Sequence, residues 1–343
     1  MSKQYDKPFK TFDELVNLLE QEHGLDVPDH DVAKQVLQFI PYYDLVNGYK
    51  DILMTQDKYT VATTISDLYL FHTFDRDFQK ALFDLSVMIE DYFKNILAYT
   101  IAGSFGVDEA DYLLFSNYLV KRGTAGKHSV RRDIVLPTLR NIANTSYDNP
   151  TLYYRNNHNH IPPWILLKNT TFSLSTNLFV LLKRPQKQEI LDFMLPVNRA
   201  WNQRFPVLLY ILTMVRKCRN TIAHNLKFTS FNCGRYMNNL DRQSLRELIP
   251  VSLLSDAELN RWSYLDGIYG YIILCISMIP NNLSKAMMIN SLLNAIEINP
   301  LLSGEFQGTG DVIRQKYFSG TDIPLDIKDR LLLYLQELLP QKP

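Results

Sequence analysis

Cysteine is scarce in this sequence. The 343 residues contain three cysteines, Cys218, Cys233 and Cys275, an odd number with no Cys-x-x-Cys spacing. A disulfide framework pairs its cysteines, so these three do not predict one. The sequence instead predicts a protein of a reducing compartment. Cys218 lies among apolar residues and is expected to be an ordinary core residue.

Long apolar segments are also missing. The longest run, residues 268–279, is interrupted by Gly270, whereas a helix that crosses a membrane needs about 20 consecutive apolar residues. The first residues, Met-Ser-Lys-Gln-Tyr-Asp-Lys, lack the apolar core of a signal peptide. We therefore expect no membrane association and a cytoplasmic location.

The chain has no excess charge of either sign, because 36 Lys and Arg residues balance 36 Asp and Glu residues. A neutral chain has no overall attraction for a polyanion, so a nucleic acid would have to bind at a local basic patch. Hydrophobic residues make up 46% of the sequence, which is enough for a chain of this length to bury a large core.

Helical patterns dominate the chain, since apolar residues recur every three or four positions and strand signals are short. Thr11 and Asp29 are placed as N-caps of two early helices. A long amphipathic helix is predicted to open at Phe74 and to end near Ala102. The sequence thus predicts an all-α multi-helix bundle, divided into an N-terminal helical region (1–60), a central helical domain (61–240) and a C-terminal helical region (241–343).

The segment 207–224 changes abruptly from apolar to polar. Arg219, Asn220 and His224 stand at its polar end, and at about 100° per residue they fall away from the apolar side. We expect these three side chains to face solvent, a ligand or a second subunit. A plainer interpretation is a helix end where basic side chains complement the helix dipole. The apolar stripe on the other side consists of Val207, Ile211, Met214, Val215, Cys218 and Ile222.

Cationic residues are concentrated between positions 121 and 155, where aromatic residues accompany them. Cations hold phosphates and aromatic rings stack on bases, so this stretch is a candidate RNA-binding surface. A solvated loop without a ligand is the alternative interpretation. The candidate RNA-binding residues are Lys121, Arg122, Lys127, Arg131, Arg132, Arg140 and Arg155.

A metal site and a nucleotide-cofactor site are not predicted. His158 and His160 lie in an asparagine-rich loop without a nearby third ligand. No Walker-type loop is present, and Gly308-Thr-Gly310 lacks the strand and the third glycine of a dinucleotide site. The sequence therefore predicts that the protein needs no cofactor.

The order of several segments resembles that of a known family. The chain has an N-terminal helix pair, a Tyr42-Tyr43 turn, a Phe74-Asp-Arg76 stretch before a helix with Glu90, a Pro-Trp pair at 163–164, and Arg-Asn-x-x-Ala-His at 219–224. Over roughly residues 8–228 this order resembles the Abi-like (AbiD/AbiF) abortive-infection family, which is similar to a branch of the HEPN superfamily of α-helical nucleases. Pro41 and Asp44 depart from the Asn-Tyr-Tyr-Arg sequence usual there.

The resemblance implies an HEPN-like bundle and an anti-phage endoribonuclease that works without a metal. His224 would be the acid and base, since imidazole exchanges protons near neutral pH. Arg219 would bind phosphate, and Asn220 would orient the imidazole or bind a phosphate oxygen. Arg216, one turn earlier, would widen the basic surface. HEPN nucleases generally pair two motifs across a two-fold axis, so the resemblance also implies a homodimer.

Other interpretations stay open. The same fold could bind a small structured noncoding RNA without cutting it, as a ribonucleoprotein. It could also be a helical protein-interaction module that senses a phage product. Glu90 and Lys94 are expected to form an exposed helix ion pair, with a supporting role of Glu90 beside Arg219 as the alternative. Asp75 and Arg76 are expected to cap the long helix and stabilise the fold.

Overall fold

The structure, a computed structural model, describes residues 7–60, 63–122, 129–234, 240–297 and 303–339. It is 69% helical with 4% strand, which confirms the predicted all-α multi-helix bundle. None of the helices in these ranges combines the length and the apolar character needed to cross a bilayer.

The N-terminal region forms short helices around two π-helical turns. Thr11 and Glu14 make the predicted capping box of α1, and the Asp29 side chain caps α2 as predicted. The π-helical turns span Leu18–Glu22 and Tyr43–Asn47. The other elements are α1 (Phe12–Asn17), α2 (His30–Phe39), α3 (Lys50–Leu53) and the antiparallel pair β1 (Met54–Thr55) and β2 (Lys58–Tyr59).

A single 41-residue helix, α4 (Ile65–Phe105), is the axis of the fold. The predicted start at Phe74 is wrong, because Thr64 and Asp67 form a capping box ten residues earlier. Asp75 and Arg76 therefore lie inside α4 and do not cap it. The apolar spacing that begins at Ile65 runs without a break through residue 74, so the chain has no reason to restart a helix there.

The central part of the chain folds around α4 and ends in α11. Proline residues lie in the first turns of α8 and α10, where a missing backbone N–H costs little, and Pro206 lies inside α11. The elements are α5 (Glu109–Tyr112), β3 (Lys121–Arg122), β4 (Val130–Arg131), α6 (Arg132–Thr145), α7 (Thr151–Asn157), α8 (Pro163–Leu166), α9 (Phe172–Leu181), α10 (Arg184–Met194) and α11 (Trp201–Ala223). Strands β3 and β4 pair antiparallel, and 3-10 turns span Phe115–Asn117 and Leu167–Asn169.

The C-terminal helices complete the core. All residues of α14 are buried, as expected for a helix that is apolar on every side, and α14 packs against both α4 and α11. Helices from all three predicted regions share one hydrophobic cluster, so the boundaries at 60 and 240 stay predictions. The elements are α12 (Arg242–Leu248), α13 (Asp256–Asn260), α14 (Ile268–Met278), α15 (Asn282–Ile296), α16 (Ser303–Gly320) and α17 (Ile327–Leu338).

An ion pair between α13 and α17 makes the stability of this region depend on pH. Arg330 Nη2 lies 2.7 Å from Glu258 Oε1, and both side chains are mostly buried. The hydrogen bonds from Arg330 hold the pKa of Glu258 at about 2, below its ordinary 4.5. A carboxyl group whose pKa is lowered by folding stabilises the folded protein at pH values above its unfolded-state pKa. This stabilisation is lost as the pH falls through the folded-state pKa.

We expect Glu258→Gln to lower the free energy of unfolding by about 2 kcal/mol at pH 7. The difference in the free energy of unfolding between the variant and the wild type should shrink below about pH 4.5, where the wild-type carboxyl begins to lose its stabilising effect. Urea unfolding at about pH 7 and pH 3.5 measures both values. Asp326→Asn, which removes the exposed partner of the same arginine, should cost less than about 1 kcal/mol. A Glu258→Gln penalty that is equal at both pH values contradicts this account.

Candidate functional site

The predicted apolar stripe of α11 is confirmed by its burial. Its members from Val207 to Cys218 are fully buried, and Ile222 is nearly so. On the other side, Asn220 and His224 are exposed, and the Arg219 side chain is 40% exposed. His224 is the C-cap residue of α11, and its backbone N–H donates to Asn220 O. The helix end therefore presents a cation, an amide and an imidazole to solvent.

Glu90 of α4 lies next to Arg219. The Arg219 Nε atom is 4.0 Å from Glu90 Oε2, and it has no hydrogen-bond partner among the described residues. The guanidinium also donates to Asn220 Oδ1 at 3.3 Å. Asn220 is thus a partner of Arg219, and no contact between Asn220 and the imidazole is seen. The carboxylate holds the guanidinium near it by charge while leaving most donors of the fork open to a ligand.

The expected exposure of the Glu90 and Lys94 ion pair is wrong. Their side chains are 13% and 9% exposed, and Lys94 Nζ lies 2.7 Å from Glu90 Oε1. Lys94 also donates to the carbonyl of Thr170 at 2.7 Å, because the segment before α9 packs over this part of α4. The buried lysine fixes the Glu90 carboxylate in the position where it meets Arg219.

Arg216, one turn before Asn220, also binds a neighbour. Its Nη1 atom donates to Ser173 Oγ at 3.2 Å, and the side chain is half-buried. This contact ties α11 to the first turn of α9. One donor of Arg216 already serves the fold, and its role in widening the basic surface stays a prediction.

The residue after His224 was missed by sequence reasoning. Asn225 adopts a left-handed backbone, with φ of 51°, which is the usual conformation just beyond a helix end and one that asparagine accepts readily. Its side-chain oxygen accepts from Arg76 Nη1 at 2.5 Å, and its amide donates to Asp44 Oδ2 at 2.8 Å. An asparagine directly after the helix was the only local signal. We call the contacts of Asn225 with Arg76 and Asp44 the Asn225 clamp.

The Asn225 clamp is connected by hydrogen bonds to the buried carboxylate of Asp75. Arg76 also donates to Gln79 Oε1, and Gln79 donates to Asp75, which is 3% exposed. Asp75 further accepts the hydroxyl protons of Tyr49 at 2.8 Å and of Tyr317 at 2.6 Å. The expectation that Asp75 stabilises the fold agrees with these contacts, although the residue is no cap.

His72 belongs to the same network. Its Nδ1 atom lies 2.9 Å from the Tyr49 hydroxyl. That hydroxyl has one proton and gives it to Asp75, so the Tyr49 oxygen must accept from His72. Burial lowers the pKa of His72 and raises that of Tyr49. The cleft beside these residues, which Asn225 also lines, has a volume of about 20 Å³, room for about one water molecule.

The candidate RNA-binding stretch is tied to the fold in several places. Arg132 donates to the carbonyls of Phe115 and Tyr118, and Arg140 donates to that of Leu113. Arg155 donates to the carbonyls of residues 143 and 146, and Arg131 pairs with residue 133. Lys121 is exposed on β3 beside Arg122, and Lys127 lies outside the described residues. Arg132, Arg140 and Arg155 already donate to backbone carbonyls and Arg131 to a carboxylate. A role of this stretch in RNA binding stays a prediction.

The two loop histidines make contacts of other kinds. His158 stacks on Tyr154 with ring centroids 4.4 Å apart, and His160 Nδ1 lies 2.9 Å from Asn159 Oδ1. Within the described ranges, no group of three His, Cys, Asp or Glu side chains is arranged to hold a metal ion.

Comparison with known proteins gives one match. None of the curated proteins and none of the solved structures is significantly similar to the chain. The family model described as Abi-like protein matches residues 35–229, which is more than half of the chain. The matched segment contains α4, α11, Glu90 and the Asn225 clamp. The chain therefore belongs to the family of Abi-like proteins.

Proposed function

We propose that this protein is an anti-phage abortive-infection protein of the HEPN superfamily that cuts RNA in the cytoplasm without a metal ion. The observation that carries the proposal is the exposed end of α11, where Arg219, Asn220 and His224 meet solvent beside Glu90. The Arg219 guanidinium is held near Glu90 but keeps open hydrogen-bond donors, and such a group suits a phosphate. An exposed imidazole without a hydrogen-bond partner among the described residues suits proton transfer.

The chemistry follows from these groups. The 2′-hydroxyl of a ribose attacks the adjacent phosphorus, an imidazole takes its proton, and the bond from phosphorus to the 5′-oxygen breaks. A second proton donor protonates the departing 5′-oxygen. Arg219 stabilises the negative charge that builds up on the phosphoryl oxygens. The products are a 2′,3′-cyclic phosphate and a free 5′-hydroxyl, with no co-reactant.

Among the described residues, the end of α11 supplies one imidazole, that of His224, and the reaction needs a base and an acid. We propose a two-fold homodimer in which the ends of both α11 helices face one RNA strand. In such a dimer one His224 takes the proton and the His224 of the second copy gives one. The two Arg219 side chains then surround the same phosphate.

The direct test is incubation of the purified protein with end-labelled single-stranded RNA in the presence of excess EDTA. We expect cleavage that continues with the chelator and leaves 2′,3′-cyclic phosphate ends, together with a dimer mass by light scattering. Intact RNA, or cutting that stops with EDTA, contradicts the proposal.

A second candidate function rests on the single imidazole. A chain that stays monomeric presents cations and one histidine, an arrangement that binds phosphate without cutting it. The protein would then hold a small structured noncoding RNA as a ribonucleoprotein. Recovery of one discrete, intact RNA species with the purified protein, with no cleavage in the assay above, supports this function over the first.

A further inference from the structure

A second cleft lies beside Lys94, the ion-pair partner of Glu90. It has a volume of about 610 Å³, within the range of small-molecule sites, whereas the cleft at Asn225 holds little more than a water. Part of α4 forms one wall, and the start of α7 and the α8 region form the other. The lining residues are Asp91, Lys94, Asn95, Pro150, Trp164, Ile165, Leu167 and Lys168.

We propose that this cleft binds an unpaired base of the RNA whose phosphate lies on Arg219. The inference rests on the proposed function and adds a base-binding subsite to it. We call the cleft the Trp164 cleft.

The chemistry of the walls favours a base. Trp164 is 46% exposed, and its indole ring provides a flat surface on which any base can stack. Ile165, which is partly buried, adds apolar contact area. Asn95 is exposed, and its amide makes no hydrogen bond with another described residue. An open amide offers a donor and an acceptor, which is the pairing capacity needed for the edge of a base.

The lining of the cleft includes the cation of Lys168 beside the carboxylate of Asp91. Lys168 is 55% exposed and pairs with Asp91 at 3.1 Å. An ion pair this exposed is weak, so the ammonium group can turn to a phosphate at little cost. The mixture of one aromatic platform, one free amide and a mobile cation matches a nucleotide better than it matches a purely apolar partner.

The position of the cleft relative to Arg219 supports the same occupant. Lys94 lines the cleft and binds one oxygen of Glu90, while the other oxygen of Glu90 faces Arg219. One carboxylate therefore lies between the cleft wall and the guanidinium. Glu90 thus connects the two sites through Lys94 and Arg219, and we infer that one strand contacts both.

The test measures binding of a fluorescein-labelled, single-stranded 2′-O-methyl RNA, which lacks the attacking hydroxyl and cannot be cut. We expect Trp164→Ala to weaken binding about tenfold or more, because that is the scale of one lost base stack. Trp164→Phe, which keeps an aromatic ring, should recover most of the affinity. Phe39→Ala, which removes an exposed aromatic ring of α2 outside the cleft, should bind like wild type.

Tryptophan fluorescence gives a second readout. The chain has three tryptophans, and stacking on Trp164 should quench the emission of the wild type as unlabelled RNA is added. The quenching should be lost in Trp164→Phe, which retains the other two. Thermal melting by circular dichroism checks that each variant is folded.

The possible outcomes distinguish a failure of the base-binding subsite from a failure of the proposed nuclease function. If the wild type binds and cuts RNA while Trp164→Ala does both equally well, the subsite is wrong and the nuclease proposal stands. If Trp164→Ala instead converts a dimer into a monomer without changing the affinity of each chain for RNA, the cleft is a contact between copies and the inference is overturned. If the wild type binds no RNA, both proposals fail together.

Discussion

His224→Ala is expected to lower the rate of RNA cleavage about 10²- to 10⁴-fold, the usual contribution of a positioned acid or base. In the proposed dimer the substitution removes both imidazoles at once, so the loss should lie toward the upper end. The measurement is the initial rate of cleavage of end-labelled RNA in EDTA. Since His224 is exposed and its side chain forms no hydrogen bond or ion pair with another described residue, the thermal stability should stay near that of the wild type.

The matched control is His158→Ala, which removes an exposed histidine from the loop after α7. It should cleave RNA at the wild-type rate, since His158 contacts only nearby aromatic rings among the described residues. Equal rates for wild type and His224→Ala would remove the histidine from the mechanism. A loss of similar size in both variants would point to a general effect of the substitutions.

Asp75→Ala is expected to destabilise the protein by about 3 kcal/mol or more. The substitution leaves the hydroxyls of Tyr49 and Tyr317 and the amide of Gln79 without their buried acceptor, and each unsatisfied polar group costs about 1–3 kcal/mol. Urea unfolding at pH 7 followed by circular dichroism measures the change.

Asp77→Ala provides the comparison from the same helix. Asp77 is 45% exposed, and among the described residues it pairs with Lys80 alone, one turn away, so its removal should cost less than about 1 kcal/mol. If Asp75→Ala is as mild as Asp77→Ala, the buried network does not stabilise the fold in the way its geometry implies.

The sequence was most informative where the signal is local. The caps at Thr11 and Asp29 and the apolar stripe of α11 depend on residues three or four positions apart, and all appear as predicted. The same periodicity placed Arg219, Asn220 and His224 on the open side of α11. Local patterns therefore gave the fold class and the face of the helix that carries the candidate site.

The sequence was least informative where distant segments meet. The partners of Asp75 include Tyr49 and Tyr317, which are 26 and 242 positions away, and no spacing along the chain reveals such pairs. Glu90 and Lys94 were taken for an exposed pair because their helix spacing is typical of one. Their burial depends on the segment before α9, which covers them only in the folded protein.

The C-terminal helices show the same limit. Residues 241–343 carry no recognised motif, but α14 is buried throughout and α16 supplies Tyr317 to the network at Asp75. A truncation after α11 would therefore expose the core, and it would also remove the Tyr317 hydroxyl that donates to Asp75.

The Asn225 clamp has a consequence for control of the protein. Through Asn225, Lys227 and Thr229, the segment that follows His224 is fastened to the N-terminal residues Asp44, Asp51 and Gly48. A molecule that pulls the N-terminal π-helical turn away from α4 would also loosen the segment beside the imidazole. In the proposed nuclease, a signal that acts on the N-terminal region would therefore reach the segment beside His224 through direct side-chain contacts.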